Sequence, residues 1–265
     1  MGKPHPYHRL PGISTFSRWI SSCLARCLPA ARSIAASCPS NPVSSFKPKL
    51  NILPREQVAL WPHLRPTRDI GFTLYGGTAI ALRLGHRRSV AFDFFAAQEL
   101  NKCLLRDKLP FLANSTVVQD EPNTLTVISD GGVKVSFFGG LRFGRYGAPD
   151  TTDDKVLSVA SLDDLMAHKI KVVHQRSEAK DYTDIAEMLK ANVPLEKGLA
   201  IAMEMFKPDL SPIIALKAMT YFEGGDLHGL TNESKRILAG AAAEISALPE
   251  VKRLSDSLGE DVVLE

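Results

Sequence analysis

Acidic residues are missing from the first 55 positions, which carry eight Lys or Arg and no Asp or Glu. Taking those eight from the 32 basic residues of the chain leaves 24 against 29 acids, a net charge of −5 for the remainder. The body is therefore mildly acidic, although the whole 265-residue chain has a formal charge of +3. That balance excludes a basic nucleic-acid cleft covering most of the surface and leaves room only for a local basic patch. Cysteine is scarce as well. Cys23, Cys27 and Cys38 lie in the N-terminal segment, and Cys103 stands alone in the body. One cysteine builds no internal disulfide framework, which points to a reducing compartment and a cytoplasmic location. Cys23 and Cys27 lack a second Cys/His pair at zinc-binding spacing. No apolar run is long and uninterrupted enough to span a membrane. His63, His168, His174 and His228 form no His-x-x-x-His pair and read as ordinary residues. Gly-x-Ser-x-Gly, P-loop and Gly-x-Gly-x-x-Gly patterns are also missing, which disfavours a serine hydrolase, a P-loop NTPase and a Rossmann dehydrogenase.

What is present centres on FTLYGGTAIALRLGHRRSVAFDFF, residues 72–95. Phe72 to Tyr75 suits a strand, and Gly76-Gly77 permits a turn where a Cβ would clash. Thr78 is placed to cap a helix running through Leu84, with Gly85 ending it. His86-Arg87-Arg88-Ser89 is a polar loop, and Val90 to Phe95 a second strand. Side chains of a strand alternate faces, so Val90, Phe92 and Phe94 form a core face. Ala91, Asp93 and Phe95 share the other face, and Asp93 then stands opposite the glycine turn. A helix N-terminus beside glycine is a natural phosphate seat, and a carboxylate next to it can hold the Mg²⁺ that accompanies a triphosphate. Taken singly, each of these features is common: glycine turns connect many strands to helices, and Arg87-Arg88 reads as a solvated loop.

The rest supports an α/β chain with a mixed, mostly antiparallel sheet, flanking helices and a helical C-terminal part. Arg55 to Leu64 has a helical apolar stripe, and residues 98–112 read as a helix. Two alternating runs, residues 124–128 and 133–138, flank Ser129-Asp130-Gly131-Gly132, a hairpin signal. Ser161 with Asp164 forms a capping box for a helix to Gln175. A second helix opens near Asp181 and runs to Lys190. Ser211-Pro212 opens another, and helices are expected over 199–206, 234–248 and 251–258. The organisation expected is an N-terminal segment 1–48 outside the fold, an α/β domain 49–155 and a helical domain 156–265.

Two stretches, GGTAIALRLGHRRSVAFDFF and HKIKVVHQRSEAKDYTDI, together resemble the AbiEii/AbiGii toxin family. That family belongs to the DNA polymerase β-like nucleotidyltransferase superfamily. The resemblance covers roughly residues 51–230. It implies Mg²⁺-dependent transfer of a nucleotidyl group from an NTP to RNA, with a tRNA end as the expected acceptor and an antitoxin protein as partner. It assigns nucleotide binding to Gly76, Gly77, Thr78, Arg87, Arg88 and Arg176. Catalysis falls to Asp93, which also binds the metal, and to Lys169 and Asp181. Asp184 would hold the helix pair or the metal shell. The family pattern has two alternating aspartates on the second strand; here the first falls on Ala91. A third acid is absent from the later strand, where Lys134 or Ser136 takes its place. These departures predict impaired transfer, with Asp69 or Asp153 as candidate substitutes, and motivate an alternative: a relative that binds a nucleotide or partner without catalysis. Residues 1–45 have the composition of a transit peptide, a disordered tail or an upstream extension from a misplaced start; the prokaryotic resemblance favours the last two.

Overall fold

The computed structural model describes residues 44–259; the readings made for residues 1–43, including Cys23, Cys27 and Cys38, lie outside the described residues. The backbone is organised on one sheet. In chain order its strands are β1 (Ser45–Phe46), β2 (Thr73–Tyr75), β3 (Ala91–Phe95), β4 (Thr116–Glu121), β5 (Thr124–Ile128), β6 (Lys134–Phe138), β7 (Asp150–Thr152) and β8 (Ser158–Val159). Their order across the sheet is β1-β7-β8-β2-β3-β6-β5-β4. The pairs β2–β3, β4–β5, β5–β6 and β7–β8 are antiparallel, and β1–β7, β2–β8 and β3–β6 are parallel. This is the mixed, mostly antiparallel α/β arrangement that the sequence predicts. Ser45 and Phe46, left outside the fold by the sequence reading, form the edge strand β1.

Helices flank the sheet: α1 (Arg55–Leu60), α2 (Pro66–Asp69), α3 (Gly76–Leu84), α4 (Lys102–Lys108), α5 (Leu162–Gln175), α6 (Ala179–Lys190), α7 (Leu195–Phe206), α8 (Pro212–Thr220) and α9 (Asn232–Glu244). Ser161 caps α5 by accepting from the Asp164 N–H at 3.1 Å. Ser211 accepts from Ile214 N–H ahead of α8, with Pro212 in its first turn. None of the helices is long and apolar enough to cross a membrane among the described residues.

The core lies on both faces of the central strands. On one face Phe92, Phe94 and Phe137 are fully buried, with Trp61 and Phe72 packed at their edges. Val90, assigned by alternation to this face, precedes the strand and is exposed. The opposite face is covered at one end: Phe95 stacks on Tyr75 at 4.8 Å, and Phe143 and His168 close over them. Burial then falls along β3, from Phe95 to the half-buried Asp93 and Ala91. An aromatic floor thus carries an opening at the Ala91 end.

Three local expectations change. The stretch 98–112 forms a shorter helix, α4, capped by Asn101, then a 3₁₀ turn from Pro110, because proline cannot continue the α-helical ladder. Residues 251–258 are not helical. Ser255 bridges Arg145, Leu258 is buried, and the Leu258 carbonyl accepts from Thr73 Oγ1 at 3.0 Å. Tertiary pairing there outweighs local helix propensity. Finally, Thr78 does not cap α3. The helix already starts at Gly76, with Tyr75 as its cap residue and no side-chain cap bond.

Candidate functional site

The start of α3 is held between two charged groups. Gly76 has φ +74°, and a Cβ there would sit 2.9 Å from Asp93 Oδ2. At Gly77 a Cβ would sit 2.1 Å from Arg87 Nη2 and 3.3 Å from Asp184 Oδ2. Both glycines are therefore needed for close approach, the first also for its backbone conformation. The first turn of α3 presents N–H groups without intrahelical partners between the Asp93 carboxylate and the Arg87–Asp184 pair. Thr78 spends its hydroxyl on the return strand: its Oγ1 shares a hydrogen bond with Ser89 Oγ at 2.5 Å and donates to the Ala91 carbonyl.

Asp93 faces a field of cations. In register it lies between Tyr75 on β2 and Ser136 on β6, while Ala91 lies beside Lys134. Burial pushes the Asp93 carboxyl above the usual range, opposed by Lys134, Lys169, a hydrogen bond from Ser136 and Lys180. Lys134 and Lys180 are exposed, and Lys180 pairs with Glu178 at 2.6 Å.

Behind the glycine turn runs a buried ion network. Lys169 Nζ on α5 lies 2.6 Å from Asp181 Oδ1 and 2.7 Å from Asp184 Oδ2, both on α6. Arg87 reaches Asp184 with two donors, Nε at 2.6 Å and Nη2 at 2.8 Å. His86 Nε2 meets the same carboxylate at 2.6 Å. Arg176 binds Asp181 through Nη2 at 2.8 Å and Nε at 3.0 Å, and Glu178 at 3.2 Å. Asp181 and Asp184 are fully buried and Lys169 nearly so. Burial alone would lower the Lys169 ammonium, yet Asp184 and Asp181 hold it above its usual range. Burial would raise Asp184, but Lys169, Arg87 and His86 hold it well below the usual carboxylate range.

The structure therefore brings Gly76, Gly77, Asp93, Arg87, Lys169, Arg176, Asp181 and Asp184 into one region, while Arg88 is exposed on the loop. His86, like Arg87 and Arg88, reads in sequence as a solvated loop residue or as a triphosphate or RNA contact; its place beside Asp184, 98 residues away, leaves no trace in local sequence pattern.

A two-ion magnesium centre needs two or three carboxylates converging on one space. On this face of β2, β3 and β6, Asp93 is the sole acid, since Ala91 offers a methyl group and Ser136 a hydroxyl. Asp69 and Asp153 are exposed, and no group of three or more His, Cys, Asp or Glu suited to a metal ion occurs among the described residues. The donor set does not fit such a centre.

The family model described as "Nucleotidyl transferase AbiEii toxin, Type IV TA system" matches residues 63–211, more than half of the chain, and includes both the glycine turn and the ion network. An uncharacterized protein of Aquifex aeolicus (strain VF5) is 28% identical over 154 residues, covering 57% of this chain and 74% of that protein.

Proposed function

The chain belongs to the AbiEii nucleotidyl transferase toxin family, and from that premise we propose that it seats a nucleoside triphosphate on the first turn of α3 and directs nucleotidyl transfer to RNA. The observation that carries the reading is the placement of Gly76-Gly77 between Asp93 and Arg87–Asp184. Free N–H groups at a helix start favour an anion, and the two glycines let its oxygens approach the backbone. In the transfer step an acceptor hydroxyl oxygen bonds to the α-phosphorus. The α–β bridging P–O bond breaks, and pyrophosphate departs with the electron pair. Asp93, as the carboxylate, takes the hydroxyl proton, and its burial raises its affinity for that proton. Lys169 acts as a positioning residue: its ammonium fixes Asp181 and Asp184, and Asp184 fixes Arg87 against the glycine turn. The proposed acceptor is a tRNA end, and the type IV family description suggests an antitoxin as partner.

A second reading rests on Ala91 and Ser136, which leave Asp93 without a companion acid on the sheet. In that reading the protein binds a nucleotide, or a partner, without transferring anything.

A transfer assay with the full chain tests both. The protein, its Ala91→Asp form and its Asp93→Asn form are incubated with each labelled NTP, Mg²⁺ and total tRNA. Labelling by the natural chain, lost in Asp93→Asn, supports transfer. Labelling by Ala91→Asp alone supports the second reading, and labelling by none of them overturns the RNA acceptor.

A further inference from the structure

We propose that Lys134 supplies the positive charge that a divalent cation supplies in a two-metal site, so that this chain binds a triphosphate without metal. The inference rests on the triphosphate site proposed above and concerns what neutralises the ligand there.

Strand register carries it. Ala91 and Lys134 are direct partners on the parallel strands β3 and β6, and Asp93 and Ser136 are the next same-face pair. Side chains at paired positions on one face are neighbours about 4.7–4.9 Å apart across the strands. Lys134 therefore rises beside the position where a first metal-binding carboxylate would stand, next to the one acid that remains. An acid at position 91 would pair with this lysine across the strands. The methyl group of Ala91 leaves it uncommitted, and the same exchange that removes a metal ligand releases a cation.

The other cations near Asp93 are engaged. Lys169 is held by Asp181 and Asp184, and Lys180 by Glu178. Arg87 is bound to Asp184 and Arg176 to Asp181. Lys134 makes no ion pair among the described residues, is exposed, and acts on Asp93 through its field. A strongly hydrated ammonium on a flexible stem is a good point-charge partner for phosphate.

The test is binding of a fluorescent ATP analogue to the full chain, in EDTA and in Mg²⁺, with inorganic tripolyphosphate as competitor. The expected result is binding in EDTA that tripolyphosphate displaces, weakened about tenfold in Lys134→Met and retained in Lys134→Arg. A thermal melt of Lys134→Met should match the natural chain, because the residue is exposed. Binding seen only with Mg²⁺, or unchanged in Lys134→Met but lost in Gly76→Ala, overturns the role of Lys134 and leaves the triphosphate site standing. Binding unchanged in both variants places the probe elsewhere and overturns both. Absence of binding in either buffer likewise overturns both.

Discussion

Lys169 on α5 bridges Asp181 and Asp184 on α6, with its ammonium 2.6 Å and 2.7 Å from the two carboxylates. One buried cation thus joins two acids a helix turn apart, and Arg87, His86 and Arg176 close the network from outside. Removing one partner of a buried pair leaves uncompensated charge and costs about 3–5 kcal/mol. Asp184→Asn is expected to lose stability of that order in urea unfolding, because Lys169 and Arg87 lose their shared counter-charge. A loss below 1 kcal/mol would show that the network does not stabilise the packing of α3, α5 and α6.

Acid pH divides the buried groups by sign. Burial, reinforced by Lys169, lowers His168 from 6.5 to about 3, so the folded state keeps it neutral while the unfolded state takes up a proton below 6.5. Its contribution is present above 6.5 and is lost as pH falls toward 3. Asp164 behaves oppositely. Burial raises it to about 6, against bonds from Tyr146, Gly147 and Ser161, so the folded state binds a proton first and gains stability as pH falls from 6 toward 4. The two trends offset each other between pH 6 and 5. His168→Phe, which keeps the aromatic packing, should gain about 1–2 kcal/mol on going from pH 7 to 5 while the natural chain changes less. Thermal melts at the two pH values measure this. Asp184, held below its usual range, contributes stability above about pH 4 that disappears only in stronger acid.

The two glycines of the turn should differ in kind. Gly76→Ala meets both a left-handed backbone and the Asp93 carboxylate, so it should destabilise by at least about 1–2 kcal/mol. Gly77→Ala meets only the Arg87 guanidinium end and Asp184, and a flexible side chain can move. It should lower the melting temperature less, yet displace Arg87 from Asp184. A crystal structure of Gly77→Ala with the Arg87–Asp184 pair intact would contradict this.

Restoring the missing carboxylate should create metal affinity. Ala91→Asp puts a second acid two residues from Asp93 on the same face of β3. Mg²⁺ should then raise the melting temperature of the variant, EDTA should reverse the gain, and the natural chain should respond to neither. An equal Mg²⁺ response in both proteins would mean that other donors bind the ion.

Much of the framework was legible from local pattern. Alternation over 124–128 and 133–138 around Gly131-Gly132 specified β5 and β6, and Ser161 and Ser211-Pro212 specified the starts of α5 and α8. Gly85, at φ +72°, ends α3 as its position suggested. These signals act within a few residues, so sequence carries them. The misreadings arose where distant contacts decide. Thr78 looked like a cap, but its hydroxyl turns to Ser89 and Ala91 on the returning strand. Residues 251–258 looked helical, but the side chains of Arg145 and Thr73 donate to the Ser257 and Leu258 carbonyls from more than 100 positions away.

The sequence by itself determined the family, the glycine turn and the loss of an acid at Ala91, because residue identity and short spacing suffice for each. Tertiary structure alone decided which charges meet. Asp184 serves His86 and Arg87 across nearly 100 residues because α6 packs on α3, and no local periodicity encodes that packing. The register of β3 on β6 likewise sets Lys134, rather than another acid, beside Ala91, since a shift of one residue would turn that lysine to the opposite face.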